Sequence, residues 1–451
     1  MKNFLRLGNA GLQGVVGHGL GLSQAMNYCS ALATWNEGGK IVIASDPRYS
    51  TPMLKSAAIS AFLAAGCDVI DAGIAPAPLL HYLVPKLGAG AGCLISAGHH
   101  DQGWNAIQSL NEEGSFFSDS QCQELLDIYH SRQFELKKWD EIGQLSEITS
   151  DQIHPYIEEI CSDIDVDAIR AANFKVVIDS CNGSASTITG ALCEYLNLEA
   201  IQINDELNGY LPHAPEPRPR TAYQVKTVLE VVKADIGFVL SSDASRVSIV
   251  SSCGETLSEE YTFPLVAQAL LAQKEGDLTV VTNCCTTRTL DEVVEQNKAK
   301  LIKTKVGQSA AIQAMIANEA VLAGDGSGSV AFADTVKGFD ALKVIPVILG
   351  AMAQRKLSSA ELVEELPRKS IKKRRVPCSP LHGYNALSRL REHYKGATID
   401  ETDGLRFDWP DGWVHARLSN TEPVIRVVSE WKTEKEARDL ANKTARLLSH
   451  A

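Results

Sequence analysis

Four short loops in this 451-residue chain combine the hydroxyl, imidazole, carboxylate and guanidinium groups that binding and catalysis commonly use. They are SAGHHD at 96–101, SSDASR at 241–246, GDGSGS at 324–329 and RLSNTEPVIR at 417–426. Each loop follows an apolar run of the kind that forms a buried strand. Because ligands of open α/β sheets bind at the carboxyl ends of strands, we expect these loops to line a binding or catalytic site.

The loop at 417–426 has the composition of an anion-binding site. Within ten residues, Arg417, Ser419, Asn420, Thr421 and Arg426 supply two guanidinium groups, two hydroxyl groups and an amide. Guanidinium groups and the backbone N–H groups of a tight turn are well suited to phosphate oxygens. A polar hairpin with ordinary Ser/Thr turn chemistry has a similar composition, so the pattern alone leaves both interpretations open.

The loop at 96–101 has no side chain at its centre, because Gly98 stands between Ser96 and the adjacent His99 and His100. Hydroxyl and imidazole groups act as nucleophiles in covalent catalysis, and paired histidines also occur in metal sites. No third metal ligand with usable spacing accompanies these histidines. His99 is therefore interpreted either as a phosphoryl acceptor or as a structural hydrogen-bonding residue, and we favour the structural interpretation.

Alternating strand and helix signals predict the elements that carry these loops. A β-branched apolar run, a loop rich in Gly, Asp or Ser and an amphipathic segment recur about every 30 residues. The clearest strand signals lie at 40–48, 67–78, 174–186, 234–250 and 278–290. This alternation predicts mixed or parallel sheets covered by helices.

The last part of the chain has a different pattern. Residues 396–431 form short strand signals with Asp-Gly turns at 403–404 and 411–412, which predict an antiparallel meander. An amphipathic helix signal follows at 433–450. The predicted fold class is therefore α/β, with three related α/β domains and a C-terminal α+β domain. The predicted domains span residues 1–150, 151–255, 256–368 and 369–451.

Composition and charge argue against several classes of protein. A net charge of −12 argues against nucleic-acid binding, which needs clustered Lys and Arg. The main basic cluster, RKSIKKRRVP at 368–377, is interpreted as a segment joining two domains rather than as a binding arm. The chain has no apolar run of about 18 residues, so no membrane helix is predicted. The first residues lack the apolar core of a secretory signal.

The eleven cysteines are scattered and form no C-x-x-C pair, although Cys284 and Cys285 are adjacent. An odd number of cysteines without a secretory signal predicts reduced, mostly buried thiols rather than disulfides or a zinc site. Together these features predict a cytoplasmic, multidomain protein.

Five segments resemble the α-D-phosphohexomutase superfamily, which includes phosphomannomutases, phosphoglucomutases and phosphoglucosamine mutases. RLSNTEPVIR resembles the family's phosphate-binding loop. The other four segments are LRLGNAGLQGVVGHGL at 5–20, LPHAPEP at 211–217, TKVGQ at 304–308 and GDGSGS at 324–329. Because the matches occur in the family's order, the resemblance implies four domains around one central cleft, with a phosphosugar between the loops.

The resemblance also implies a mechanism whose central groups are missing here. In the family, a phosphoserine exchanges its phosphoryl group with the sugar, and three aspartates hold Mg²⁺. Gly98 stands in the position of that serine, and Gln108 in the position of a lysine. Of the three aspartate positions, only Asp243 is retained, because Ser241 and Ser245 replace the other two. Three further positions also differ from the family. Gln13 stands in the position of an arginine, and Gln308 and Ser329 stand in the positions of histidines.

The residues that the family uses for binding are largely retained. They include the phosphate loop, Arg48 beside Asp46, Arg246, and Asp325 with Ser327 for the sugar hydroxyls. We therefore predict a pseudoenzyme that binds a phosphosugar or another small phosphorylated ligand. Since Mg²⁺ is normally held by carboxylates and substrate phosphates, Asp243 should bind it weakly, and no cofactor is expected.

Two alternatives stay open at this point. The first is an active mutase whose nucleophile has moved to Ser96 or to a histidine such as His100. A shift of two residues along a strand displaces a side chain by roughly 6–7 Å, which argues against Ser96. The second is a structural partner of a true mutase, and a protein partner is also compatible with the pseudoenzyme. No nucleic-acid or membrane partner is expected.

Overall fold

The first part of the chain forms a seven-stranded mixed sheet. The computed structural model describes residues 5–9, 11–148, 152–274, 276–378, 380–419 and 423–449. The strands are β1 (Leu5–Gly8), β2 (Gly11–Val15), β3 (Ile41–Ser45), β4 (Val69–Ile74), β5 (Ala91–Ile95), β6 (Trp104–Asn111) and β7 (Leu145–Glu147). The helices are α1 (Leu22–Trp35), α2 (Thr51–Ala64), α3 (Ala77–Lys86) and α4 (Asp119–Ser131). The strand order is β1-β2-β6-β5-β3-β4-β7.

The second part forms a four-stranded sheet in the order β11-β10-β8-β9. Its strands are β8 (Lys175–Asp179), β9 (Glu199–Ile203), β10 (Ile236–Leu240) and β11 (Val247–Ser251). Its helices are α5 (His154–Ile160), α6 (Val166–Ala172), α7 (Ser186–Tyr195) and α8 (Tyr223–Val232). Every residue of β10 and β11 is buried, as expected for apolar strands with helices on both faces.

The third part forms another four-stranded sheet, in the order β13-β12-β14-β15. Its strands are β12 (Thr279–Asn283), β13 (Lys300–Thr304), β14 (Leu322–Gly324) and β15 (Val330–Phe332). A 3₁₀ turn at Glu259–Tyr261 precedes its helices, which are α9 (Thr262–Leu271), α10 (Arg288–Gln296), α11 (Gln308–Ala317), α12 (Ala341–Arg355) and α13 (Ser359–Glu364).

These three sheets share one arrangement, which supports the prediction of three related α/β domains. Each sheet contains a unit of four strands, which is β3–β6, β8–β11 or β12–β15. In each unit the first strand lies between the second and the third, and these three strands run parallel. The fourth strand then returns antiparallel to the third, as β6, β11 and β15 do. The loops 96–101, 241–246 and 324–329 are therefore equivalent hairpin connections between the third and fourth strands.

The C-terminal part is an antiparallel sheet, as the turn signals predict, and it packs against two helices, of which only the second was predicted. Its strands are β16 (Ser370–Pro377), β17 (Thr398–Asp400), β18 (Leu405–Trp409), β19 (Gly412–Leu418) and β20 (Val424–Trp431), in the order β16-β20-β19-β18-β17. The helices are α14 (Pro380–His393) and α15 (Glu434–Ser449). The interpretation of 368–377 as a joining segment is wrong for most of its length, because 370–377 pair with β20 as an edge strand.

Two properties of the whole chain complete the description. All eleven cysteines are free, and eight of them are buried, which agrees with the prediction of mostly buried thiols. Within the described ranges, no helix is both long and apolar enough to cross a membrane.

Candidate functional site

A cavity of about 650 Å³ lies where all four domains meet. Residues of the loops 96–101, 241–246, 324–329 and 417–426 all contribute to its wall. The structure therefore brings together the four loops that the sequence singles out, although they come from domains far apart along the chain. This is the central cleft implied by the family resemblance.

The cavity wall carries a large excess of positive charge, although the whole chain is acidic. Nine basic residues and four acidic ones contribute to it, although one of the nine, Arg374, directs its Nε to Asn442 on α15. The basic residues are Arg6, Arg218, Arg220, Arg246, Lys373, Arg374, Arg375, Arg417 and Arg426. The acidic residues are Asp101, Glu216, Glu260 and Asp325. A cleft lined mainly by one sign of charge attracts ligands of the opposite sign, so this cavity favours an anion.

Three of these arginines form a row across the C-terminal sheet. Arg375 on β16 is opposite Arg426 on β20, and Arg426 is opposite Arg417 on β19. Residues opposite each other in an antiparallel pair lie on the same face, where like charges destabilise the pairing. Asp403 Oδ2, 3.7 Å from Arg417 Nε, offsets part of this repulsion, and a bound phosphate group would add charge-assisted hydrogen bonds. The row is therefore the strongest structural indication of an anion site.

The rest of the predicted phosphate loop is only partly described. The Ser419 N–H donates to the Val424 carbonyl oxygen at 2.9 Å, which closes the hairpin between β19 and β20. The predicted ligands Asn420 and Thr421 lie outside the described residues.

A second group of charged residues lies on the wall contributed by the second domain. Glu216 accepts from Arg246 Nη1 at 3.4 Å and pairs with Arg218 Nη2 at 2.5 Å. Burial raises the pKa of Glu216, but the two guanidinium groups outweigh it and hold this pKa below its usual value. Among the described residues, the buried Nε atoms of Arg246 and Arg218 have no hydrogen-bond acceptor. Arg218 Nε lies 3.9 Å from Glu259 Oε1, so Arg246 Nε is the donor of this pair that a ligand could use most readily.

Gly98 lies directly against the retained aspartate of the degenerate metal loop. Its φ of +50° is in the left-handed region, and a Cβ atom added there would lie 2.6 Å from Asp243 Oδ2. The Gly98 carbonyl oxygen accepts from Ser242 Oγ at 2.8 Å. The two loops that would hold nucleophile and metal are therefore in contact, but a side chain at position 98 would collide with Asp243.

The other oxygen of Asp243 is already satisfied by its own loop. Asp243 Oδ1 accepts from Ser241 Oγ at 2.7 Å, from Ser245 Oγ at 2.8 Å and from the Ser245 N–H at 3.1 Å. The two serines that replace aspartates thus donate hydrogen bonds to the one carboxylate that remains.

The prediction that Arg48 lines the cleft is wrong. Its side chain is buried, and its Nε pairs with Asp46 Oδ2 at 3.0 Å. Its two Nη atoms donate to backbone carbonyl oxygens of the neighbouring loop and strand, at Gly98, His100, Asp101 and Trp104. Arg48 therefore holds the shape of the loop at 96–101 instead of contacting a ligand.

Ser96 and Gln108 also have structural partners. Ser96 is fully buried, and its hydroxyl donates to Asp46 Oδ2 at 2.8 Å and accepts from the Gly98 N–H at 3.1 Å. The structure thus argues against Ser96 as a relocated nucleophile, since a nucleophile must reach its substrate. Gln108 Nε2 donates to the Ser96 carbonyl oxygen at 3.1 Å. Neither residue lines the cavity.

His99 and His100 are on the cavity wall. Loss of solvent, followed by the positive charge of Arg246, lowers the pKa of His99 well below its usual value. The His99 imidazole is therefore neutral at neutral pH. The ring of His100 stacks on Trp104 with a centroid separation of 4.9 Å and on His99 at 4.7 Å.

The third domain contributes the predicted sugar loop and a buried ion pair. Asp325 Oδ1 accepts from the Ser327 N–H at 2.9 Å and from Ser327 Oγ at 2.5 Å, so both predicted sugar-binding residues lie together on the cavity wall. Beside them, Lys373 Nζ lies 2.7 Å from Glu260 Oε1. Burial raises the pKa of Glu260 to about 8.

Several cavity residues are not identified by sequence reasoning. Lys373 and Arg375 stand at alternate positions of β16 and so share a face, but the four consecutive basic residues at 372–375 give no sequence signal for which face meets the cavity. Glu260 and His415 carry no local signal, because only the packing of domains places them at the cavity.

Family models match four consecutive parts of the chain. The phosphoglucomutase/phosphomannomutase alpha/beta/alpha domains I, II and III match residues 5–136, 154–254 and 258–370. The C-terminal domain of the same family matches residues 373–447.

Individual proteins show the same similarity. A phosphoglucomutase/phosphomannomutase from Thermococcus kodakarensis is 34% identical over 414 residues, which cover 91% of this chain and 90% of the relative. A probable phosphoglucosamine mutase from Pyrococcus abyssi is 31% identical, covering 98% of each chain. The crystal structure of a phosphoglucomutase/phosphomannomutase family protein from Burkholderia thailandensis superimposes with a TM-score of 0.85 at 25% identity, covering 98% of this chain and 96% of that one. The chain therefore belongs to the phosphoglucomutase/phosphomannomutase family of the α-D-phosphohexomutase superfamily.

Proposed function

We propose that this protein binds a phosphosugar in its central cavity but does not transfer the phosphoryl group through a serine. The observation that carries the proposal is a contrast within one cavity. The arginine row of Arg375, Arg426 and Arg417 is present, whereas Gly98 has no nucleophile, and a side chain there would require the Asp243 carboxylate to move.

The donor set around Asp243 does not fit Mg²⁺. Magnesium requires near-octahedral oxygen ligands at about 2.0–2.1 Å and is usually held by carboxylates together with substrate phosphates. Here one carboxylate remains, and its Oδ1 already accepts hydrogen bonds from Ser241 and Ser245. Phosphoryl transfer relies on positioning and on charge neutralisation by such an ion, so no step is routed through a metal at this loop.

The retained groups suit recognition of a sugar carrying a phosphate. The arginine row can hold a phosphate group, while Asp325 and Ser327 offer acceptors and a hydroxyl to the sugar. The cavity also has room for a ligand of that size, at about 650 Å³.

One observation favours a second candidate function, an active mutase with histidine as the nucleophile. His99 lines the cavity, is neutral, and lies near Arg246, so an anionic ligand would bind beside an uncharged imidazole. Attack of an imidazole nitrogen on phosphorus would form a phosphohistidine and release the sugar hydroxyl, and the reverse step would rephosphorylate the sugar at the other position.

Phosphorus NMR distinguishes the two functions. Hexose and hexosamine 1-phosphates and 6-phosphates are mixed with the full chain, Mg²⁺ and a trace of sugar bisphosphate. We expect selective line broadening of at least one phosphosugar without any new resonance. Gly98→Ser should also give no conversion, because the added side chain collides with Asp243 and the metal loop stays incomplete.

Two outcomes would contradict the proposal. New resonances that grow with time would establish turnover. The histidine mechanism would be identified if His99→Gln lost that turnover and if the peptide covering 93–108 were phosphorylated in the unmodified chain. The absence of both broadening and conversion across the panel would reject phosphosugar binding and favour the structural-partner alternative.

A further inference from the structure

Two adjacent cysteines and a histidine form a cluster that the proposed function does not use. Cys284 and Cys285 follow β12 in the third domain, and His415 lies on β19 in the fourth. Their two sulfur atoms and one imidazole nitrogen all lie within 4.8 Å of one another. Among the described residues, this is the one group of three or more His, Cys, Asp or Glu side chains with metal-binding proximity.

The spacing of these atoms matches a tetrahedral site. With a Zn–S bond of about 2.3 Å and a Zn–N bond of about 2.0–2.1 Å, the sulfur and nitrogen ligands of a tetrahedral ion are about 3.6 Å apart. Cys284 Sγ and His415 Nε2 are separated by 3.7 Å. These two atoms can therefore bind one ion with little movement relative to each other.

The donor types select a soft cation. Two thiolates and one imidazole are the ligands that Zn²⁺ prefers, whereas Mg²⁺ and Ca²⁺ prefer oxygen. Three protein ligands leave the fourth tetrahedral position open, which is the pattern of reactive rather than purely structural zinc sites. Cys285 and His415 line the cavity, so an ion bound there would be reachable from the cavity.

The surroundings support thiolate ligands. Hydrogen bonds to Cys285 and, less strongly, to His415 lower the pKa of Cys284 to about 5, in spite of burial. The guanidinium group of Arg417 stabilises negative charge on Cys285, whose pKa is nevertheless raised by the neighbouring thiolate. A divalent cation bound between the two sulfur atoms would stabilise the thiolate form of both cysteines.

We propose that Cys284, Cys285 and His415 bind one Zn²⁺ ion at the boundary between the third and fourth domains, with its open position facing the anion cavity. His415 Nε2 lies 2.5 Å from the Asp403 carbonyl oxygen. The ion replaces the proton on Nε2, so the Asp403 carbonyl must move away. This proposal does not depend on phosphosugar binding.

The test uses the full chain, fully reduced and freed of metal with a chelator. Zn²⁺ is titrated against a chromophoric chelator, and Co²⁺ is titrated in parallel to detect thiolate-to-metal charge-transfer absorption and tetrahedral ligand-field bands. We expect one ion per chain, with absorption bands characteristic of two sulfur ligands. Cys285→Ser and His415→Gln should each weaken Zn²⁺ binding at least about 100-fold, since loss of even supporting residues around a metal costs 10–100-fold.

Cys253→Ser is the matched control, because Cys253 is exposed and lies outside the cluster. It should bind Zn²⁺ as the unmodified chain does. Circular dichroism shows whether each variant has folded. If replacement of the buried Cys284 prevents folding, the Cys285 variant still tests the proposal, because Cys285 is only partly buried.

Three results would overturn the proposal: no stoichiometric Zn²⁺ binding, binding that survives Cys285→Ser, or Co²⁺ spectra without thiolate bands. Mass spectrometry of the freshly isolated, zinc-free protein gives a fourth result that would overturn it. In that result, the peptide covering 278–290 is lighter by two hydrogen atoms and regains them on reduction. That result would identify a disulfide between the adjacent cysteines.

Discussion

At the scale of single residues, Glu260 makes the charge of the cavity depend on pH. This carboxyl group is only 3% exposed, and burial raises its pKa to about 8. Its Oε1 pairs with Lys373, while its Oε2 is buried without a hydrogen-bond partner among the described residues. With a pKa of about 8, the group loses its negative charge as the pH falls from 9 to 7, while Glu259 Oε1 remains 3.1 Å from Lys373 Nζ. The cavity wall therefore carries one negative charge fewer at pH 7 than at pH 9.

We therefore predict that phosphosugar binding strengthens as pH falls from 9 to 7. A phosphate monoester is already a dianion throughout this range, because its second pKa is about 6. Removing one negative charge from the cavity wall should tighten binding by about tenfold. Isothermal calorimetry across this range measures the effect.

Glu260→Gln should bind tightly at pH 7 and show no comparable change up to pH 9. The control Glu255→Gln removes an exposed carboxylate that pairs with Arg368, and it should keep the pH dependence of the unmodified chain. Equal pH dependence in both variants would show that another group is responsible.

At the scale of elements, the loop at 96–101 is held by a second loop rather than by its own sequence. Arg48, which follows β3, donates to four carbonyl oxygens at Gly98, His100, Asp101 and Trp104, and its charge is balanced by Asp46. A buried cation with this many partners contributes to the shape of the loop, because one side chain ties together four carbonyl oxygens of the loop and the following strand.

Arg48→Met should lower the free energy of unfolding of the first domain by about 3–5 kcal/mol, since it leaves the Asp46 carboxylate buried without its partner. Thermal or denaturant unfolding checks this. The double variant Asp46→Asn with Arg48→Met should lose less than the sum of the single variants, because the second change removes the uncompensated charge. Lys138→Met, an exposed cation in the same domain, is the control. Additive losses would show that the pair is not coupled.

At the scale of the whole molecule, four domains combine their charges in one place. The chain has a net charge of −12, yet its cavity wall has nine basic residues and four acidic ones. The arginine row comes from the fourth domain, Arg246 from the second and His99 from the first. Anion binding is therefore a property of the assembled chain.

We predict that Arg426→Gln weakens phosphosugar binding by about 10–100-fold, the usual value of one charge-assisted hydrogen bond to a phosphate. Arg391→Gln, which removes an exposed arginine of the same domain that pairs with Glu401, should leave the affinity unchanged. Raising the ionic strength should weaken binding of the unmodified chain, with a smaller effect in Arg426→Gln. Calorimetry with the phosphosugar found by NMR measures both effects, and an unchanged affinity in Arg426→Gln would show that the phosphate binds elsewhere.

The sequence alone was sufficient for the α/β fold class, the antiparallel C-terminal meander and the four loops, because these depend on local hydrophobic period and turn chemistry. The strand predicted at 40–48 is present, and residues 403–404 lie in the connection between β17 and β18. The turn predicted at 411–412 lies one residue earlier, because Gly412 already pairs with Trp409. The retention of Asp243 and the loss of a side chain at position 98 are also visible in the sequence, since they are matters of residue identity.

Which polar residues meet depends on how the domains pack. Arg48 and Arg246 are both polar-loop arginines in the sequence, but packing buries the first among carbonyl groups and places the second on the cavity wall. The arginine row requires the register of three strands, and the proposed metal ligands Cys284 and His415 are 131 residues apart. The physical reason is that burial and pairing depend on contacts between distant segments, which no local pattern of residues specifies.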